Sequence, residues 1–233
     1  PAHYVKTELI DKAAEKRIYY LHFRMSDNLT LSPQKREFYE RMFTGVFYRR
    51  FVLGEWALTD GLVYPQFADD PGKYTLDDPP AIQYAVIGVD FGGTGSAHAF
   101  TLTGFTPGMQ SVVVLDEYYH NNKRDGVLSP EELAVAFVDF VRRAKNKYRV
   151  YEAYCDSAEQ TLIQGLRIAA TRSGLGIDVR NAIKGPINDR IMFYNSLIAQ
   201  GRFLVCSQCK ATIQAMCQAV YDSKDPTKDK RLD

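Results

Sequence analysis

Asp90 and Asp156 each close a short apolar run with a carboxylate, in YAVIGVDFGGT and in RVYEAYCDSAE. The first run has the length of a strand, and its unbroken hydrophobicity suits a central strand covered on both faces. Asp90 then stands at the strand's carboxyl end, where open α/β sheets place their chemistry. Each Asp also has a plain reading. Asp90 can open a turn with Phe91, Gly92 and Gly93, and Asp156 can sit at a helix amino end and interact with its dipole. If the two strands lie side by side, however, the two carboxylates repel unless a cation stands between them. Oxygen ligands of this kind suit Mg2+ or Mn2+. Such ions activate water for phosphodiester hydrolysis, and a pair about 4 Å apart also stabilises the leaving oxygen. Two ions need a third carboxylate. The candidates are Glu117 in LDEYYH or an acid of the tail, Asp222, Asp225 or Asp229.

Other reactive residue types lack the context that their chemistry requires. Cys206 and Cys209 have CxxC spacing, but no second pair and no nearby His completes a zinc site. Cys155 and Cys217 add no disulfide framework at this chain length. Lys184, Arg180 and Arg190 follow the fifth expected strand, a position suited to a backbone phosphate contact, and Lys184 is the residue carried forward for nucleic-acid binding. Lys35, Arg36, Arg41, Arg49 and Arg50 punctuate an early helix and read as its solvated face.

The elements that must position these residues fall in a regular order. An early segment, 17–23 (RIYYLHF), reads as a strand. Ser32 and Pro33 start a helix that is expected to run to about Gly54, with Tyr39, Phe43, Phe47 and Phe51 on one packing face. Residues 68–81, acidic and rich in Pro and Gly, read as a linker between a segment 1–78 and a domain 82–233. Strands are then expected at 84–90, 97–105 and 111–119, joined by short turns as an antiparallel meander. Ser129 and Glu132 form a capping box for a helix with Leu133, Phe137, Phe140 and Val141 inward. A strand at 149–156 follows, then a helix capped by Ser157, a strand near 177–179, a helix at 188–199, a strand at 202–205 and a last helix at 211–220. The order β, β, β, α, β, α, β, α is that of the ribonuclease H-like α/β fold, a mixed sheet of three antiparallel strands followed by parallel ones and flanked by helices. In that fold the fourth strand lies parallel beside the first.

The bulk composition restricts the function only loosely. The 233 residues are 45% hydrophobic and 24% charged with a formal net charge of +1, so no global attraction to nucleic acid is evident. No run approaches the roughly 18 apolar residues of a membrane span, and the reading is a cytosolic protein with no membrane partner. The chain begins PAHYVKTELI without an initiator Met and reads as part of a longer one.

The segments FYRRFVLGEWALTDGLVYPQF, IGVDFG, LDEYY, YCDSAE and the Lys184, Gly185, NDRI region, in this order, together resemble the large terminase subunit of tailed bacteriophages. The resemblance implies a carboxy-terminal ribonuclease H-like nuclease preceded by the trailing end of an ATPase and its linker. The implied activity is a metal-dependent endonuclease that cuts concatemeric double-stranded viral DNA during genome packaging. Asp90 and Asp156 fall on the family's first two metal-binding carboxylates, with Mg2+ or Mn2+, two ions, as the implied cofactor. The implied partners are double-stranded DNA, the portal protein and the small terminase subunit, in an oligomeric motor at the procapsid in the bacterial host cytoplasm. No GxxxxGK[ST] phosphate loop is present. The family's third acidic motif is not found either, and KDKRLD ends where that segment would approach.

Two other readings start from the same residues. VDFGGTGS also resembles the first phosphate-binding turn of actin-like and sugar-kinase ATPases, although the second such turn is not found. A docking module of the packaging motor, with both Asp residues structural, is the non-enzymatic alternative. Holliday-junction resolvases and transposases share an acidic cluster but lack the GEW to VYP segment.

Overall fold

In the computed structural model, alternation of apolar and polar residues builds one mixed sheet. Residues 5–43, 48–56, 61–93, 95–156 and 158–221 are described. They fall into two compact units. One comprises Tyr74–Lys184 with Arg202–Ile213, and the other Pro1–Lys73, Gly185–Gly201 and Gln214–Asp233.

The first unit holds seven strands: β1 (Thr75–Leu76), β2 (Tyr84–Asp90), β3 (Ala97–Phe105), β4 (Val112–Asn121), β5 (Val150–Cys155), β6 (Asp178–Asn181) and β7 (Phe203–Cys206). Their order across the sheet is β1-β7-β4-β3-β2-β5-β6. β2, β3 and β4 pair antiparallel, while β5 runs parallel to β2 and β6 parallel to β5. This is the ribonuclease H-like arrangement expected from the element order, and β7 and β1 extend it by parallel pairing at the β4 side.

The helices of this unit cover the apolar face of the sheet. Ser129 caps α4 (Pro130–Lys147): its Oγ accepts from the Glu132 N–H at 3.2 Å, and Glu132 Oε2 accepts from the Ser129 N–H at 2.8 Å. The periodic residues Leu133, Phe137, Phe140, Val141 and Ala144 are all buried. Phe100 of β3 meets Phe137 and Phe140 edge to face at 5.7 and 5.8 Å between ring centres. Burying each of these rings contributes about 2 kcal/mol. A short α3 (Asn122–Asp125) follows β4, and α5 (Gln160–Arg172) packs beside α4 and buries Ile163, Leu166 and Ala170. β2 is not equally covered on its two sides: Ala85, Ile87 and Val89 are buried, whereas Tyr84, Val86 and Gly88 are only partly so.

The second unit is helical. α1 (Pro33–Met42) is capped by Ser32, whose Oγ accepts from the Lys35 N–H at 3.3 Å. α1 and the short α2 (Pro65–Asp69) both contact α6 (Ile187–Ala199), around a core that includes Val63, Phe67, Ile191, Leu197 and Ile198. Buried Asn195 donates from Nδ2 to the carbonyls of Val63 and Ile191 at 2.9 and 3.1 Å. A last helix, α7 (Lys210–Gln218), follows β7.

Three sequence expectations are corrected. Arg17–Phe23 forms no strand, and Tyr19, Leu21 and Phe23 lie exposed, because no strand among the described residues pairs with them. The helix begun at Ser32 stops at Met42, with Phe43 extended at φ −88°, ψ 135°, where the sequence passes to Thr, Gly and Val, which are weak helix formers. Its aromatic stripe buries no residue of α1; Val46 and Phe47 lie outside the described residues. Within the Pro-rich stretch 68–81, Tyr74 is buried and Thr75–Leu76 form the edge strand β1, with Asp77 Oδ1 accepting from Ser207 Oγ at 2.6 Å. Short edge strands tolerate turn-forming neighbours, and composition hides them. Ser157, expected to cap α5, also lies outside the described residues.

Candidate metal and nucleic-acid site

Strand register brings Asp90 and Asp156 together. Val89 of β2 is paired with Cys155 of β5, and the Asp156 N–H donates to the Val89 carbonyl at 3.0 Å. The ladder thus continues one step beyond β5, and the two aspartates leave neighbouring parallel strands at the same end. Asp90 is exposed and Asp156 partly buried. The two belong to one unit, as does Lys184.

Lys184 pairs with Asp156. Its Nζ donates to Asp156 Oδ1 at 2.5 Å, and the same oxygen accepts the Ala158 N–H at 3.1 Å. The Lys184 side chain is 43% exposed and that of Asp156 30%, so the ion pair is worth at most about 1 kcal/mol and is readily exchanged. Arg180 is committed elsewhere, to Glu152 at 3.0 Å and Asp178 at 2.7 Å.

Glu117 is placed differently. Its Oε1 accepts from the Ala211 N–H at 2.7 Å, and its Oε2 accepts from the Thr212 N–H and Oγ1, each at 2.8 Å. Both oxygens therefore cap the first turn of α7, which satisfies amides that the helix itself leaves unpaired. The tail acids Asp222, Asp225 and Asp229 lie outside the described residues. Among the described residues, no group of three or more His, Cys, Asp or Glu is arranged to hold a metal ion. The donor set at Asp90 and Asp156, two hard oxygen ligands on adjacent strand ends, fits Mg2+ or Mn2+ as far as two protein ligands go.

The loop after Asp90 is internally bonded. The Gly92 N–H donates to His98 Nδ1 at 3.1 Å, the Gly93 N–H to Ser96 Oγ at 2.9 Å, and Asn122 Nδ2 to the Gly93 carbonyl at 2.9 Å. His98 and Asn122 had no motif to point to them. The one signal is alternation: in AHAFTLTGF, His98 shares the inward face with Phe100 and Leu102. Burial works against thiol chemistry at three of the four cysteines. Cys155, Cys206 and Cys209 are buried, and burial pushes the thiols of Cys155 and Cys209 up to about 11 and about 12. Thiolate, the form that binds metal or attacks disulfides, is thereby disfavoured.

No protein-family model matches the chain, and no curated protein matches it in sequence. Among solved structures, the large terminase of a thermophilic bacteriophage in complex with ADP superimposes with a TM-score of 0.79 at 28% identity, covering 99% of this chain and 55% of that one. This chain therefore spans about half the length of that large terminase. The nuclease domain of the P22 large terminase superimposes with a TM-score of 0.54 at 14% identity, over 74% of this chain and 84% of that one, and shares the fold. The SPP1 large terminase nuclease domain with bound Mn, at 18% identity, 69% and 88% coverage and a TM-score of 0.46, is too loosely alike to carry a metal over to this chain.

Proposed function

We propose, on the premise that this chain matches large terminase chains along its length, that its ribonuclease H-like unit is a metal-dependent endonuclease. Its substrate would be concatemeric double-stranded viral DNA, cut during packaging. The observation that carries this reading is the shared exit of Asp90 and Asp156 from β2 and β5. Two like charges at one edge call for a cation, and hard oxygen donors select Mg2+ or Mn2+. When bound, such ions supply water activation and stabilisation of the charge developing on the phosphodiester.

Asp90 and Asp156 would hold the ions and fix where the scissile phosphate sits. Lys184, exposed and weakly paired, can give up Asp156 Oδ1 and pair with a backbone phosphate instead. Sequence readout is not required of such a contact, since phosphate charge supplies affinity irrespective of base sequence. A third ligand would come from a tail Asp or from a residue beyond Asp233, because both Glu117 oxygens cap α7. The portal protein, the small terminase subunit and an oligomeric assembly at the procapsid in the host cytoplasm complete the proposed setting.

The ATPase-like alternative, which needs the turn after Asp90 to present amides to a phosphate, is disfavoured: the Gly92 and Gly93 N–H groups are already donated to His98 and Ser96. The docking-module alternative is separated by experiment. Supercoiled plasmid is incubated with this chain and Mn2+, Mg2+ or chelator, beside Asp90→Asn and Asp156→Asn. Metal-dependent nicking that both substitutions abolish is expected. If neither this chain nor one extended past Asp233 cuts DNA, the nuclease reading fails and the docking module takes its place.

A further inference from the structure

The chain must leave β2 at Asp90 and enter β3 at Ala97 without covering the carboxylate, and it does so through glycines. A Cβ on Gly92 would stand 2.5 Å from the Ala97 carbonyl carbon, so this backbone is pressed against the start of β3. His98, from β3, and Asn122, from the start of α3, reach the two glycines from the neighbouring elements, and each is only 4% exposed. Burial, with the charge of His120 adding to it, holds the His98 pKa below the ordinary value, while Asp90 acts in the opposite direction. The neutral ring accepts the Gly92 N–H through Nδ1. For Asn122 the Gly93 carbonyl fixes the amide orientation, since only the NH2 group can face it. Its Oδ1 is buried with no hydrogen-bond partner among the described residues. A buried acceptor left in this way is a net cost to folding, so the residue is poorly explained as core filling and better explained by its bond to Gly93.

We propose that His98 and Asn122 are positioning residues for Asp90, clamping the Gly92–Gly93 backbone so that the Asp90 carboxylate leaves β2 in the direction it needs to share a cation with Asp156. The inference rests on the metal-dependent nuclease reading. In this role neither side chain would need to touch the cation or the DNA. Their effect is entropic: glycine loses more backbone freedom on being fixed than any other residue, and the clamp meets that cost during folding rather than when the metal binds.

The test titrates Mn2+ into the whole chain, reading free Mn2+ by electron paramagnetic resonance, and follows hydrogen exchange of the Gly92 and Gly93 amides. His98→Ala and Asn122→Ala are expected to weaken Mn2+ binding about tenfold, the scale seen when groups supporting metal ligands are removed. Both should also speed exchange at the glycines. His98→Asn, whose Oδ1 can replace Nδ1 as acceptor, should restore most of the affinity. Asp90→Asn should lose Mn2+ while its glycine amides stay protected. Wild-type binding no tighter than that of Asp90→Asn would remove the nuclease reading and the inference together. Tight wild-type binding unchanged in His98→Ala and Asn122→Ala would remove the inference alone. Should His98→Ala fail to fold, Asn122→Ala and His98→Asn decide by the same readouts.

Discussion

Asp90 and Asp156 stand at the open ends of β2 and β5, whereas Glu117 lies within β4 with both oxygens held by the first turn of α7. All three are carboxylates of one sheet, and each could be read from sequence as a metal ligand. The difference lies in the donors that the backbone brings to them. Glu117 meets two amides and a hydroxyl, which satisfy it as a cap and place its charge at the positive end of a helix. Among the contacts of Asp156 is the exposed ammonium of Lys184, which a divalent ion can replace. On the proposed reading, a strand-end position beside a second carboxylate makes a ligand, whereas a position facing a helix amino end makes a structural cap.

The comparison can be broken from either side. The largest effect is expected at the strand ends: Asp90→Asn or Asp156→Asn should lower the cleavage rate roughly a thousandfold, which corresponds to losing about 4 kcal/mol of transition-state stabilisation. Far-ultraviolet circular dichroism should show both variants folded. On the other side, Glu117→Ala should destabilise the fold by about 2 kcal/mol in urea titrations, the scale of charge-assisted hydrogen bonds lost from a helix terminus. Loss of cleavage without loss of stability in that variant would reverse the two roles.

A smaller effect is expected at Lys184. Replacing it with Ala should reduce the slope of DNA affinity against salt by about one unit, as for a single phosphate contact. An unchanged slope would leave Lys184 as the counter-charge of Asp156 alone. A separate effect concerns the buried thiols. Cys155 and Cys209 are raised from 9.0 to about 11 and about 12, so the unfolded chain ionises first as pH rises. Their contribution to stability is complete below about pH 9 and is lost progressively toward those higher values. Urea midpoints at pH 7.5 and pH 10 check this, and a flat profile would contradict it.

The strands and helices around the site were legible because their patterns are local. The apolar runs ending on Asp90 and Asp156, the turn signals around 97–105 and the Ser129 capping box carry their own signals, although the unbroken run 84–90 suggested cover on both faces and only one side is fully buried. The pairing of β5 beside β2 was legible only through the order of elements, since register between distant strands leaves no local mark. Glu117 was open to misreading because its partners, Ala211 and Thr212, come from a helix much later in the chain. His98 and Asn122 were missed for the same reason: what they do depends on a glycine loop brought to them by strand pairing. Segment 17–23 went wrong because an apolar, aromatic run has strand propensity whether or not a partner strand exists.

The most direct test sets Asp90→Asn beside Glu117→Gln in one Mn2+-dependent plasmid-cleavage assay, with both proteins verified as folded. Glu117→Gln should cut at close to the wild-type rate, and Asp90→Asn should leave the plasmid supercoiled. Cleavage by Asp90→Asn at the wild-type rate, or its loss in a folded Glu117→Gln, would contradict the assignment of the metal site to the strand ends.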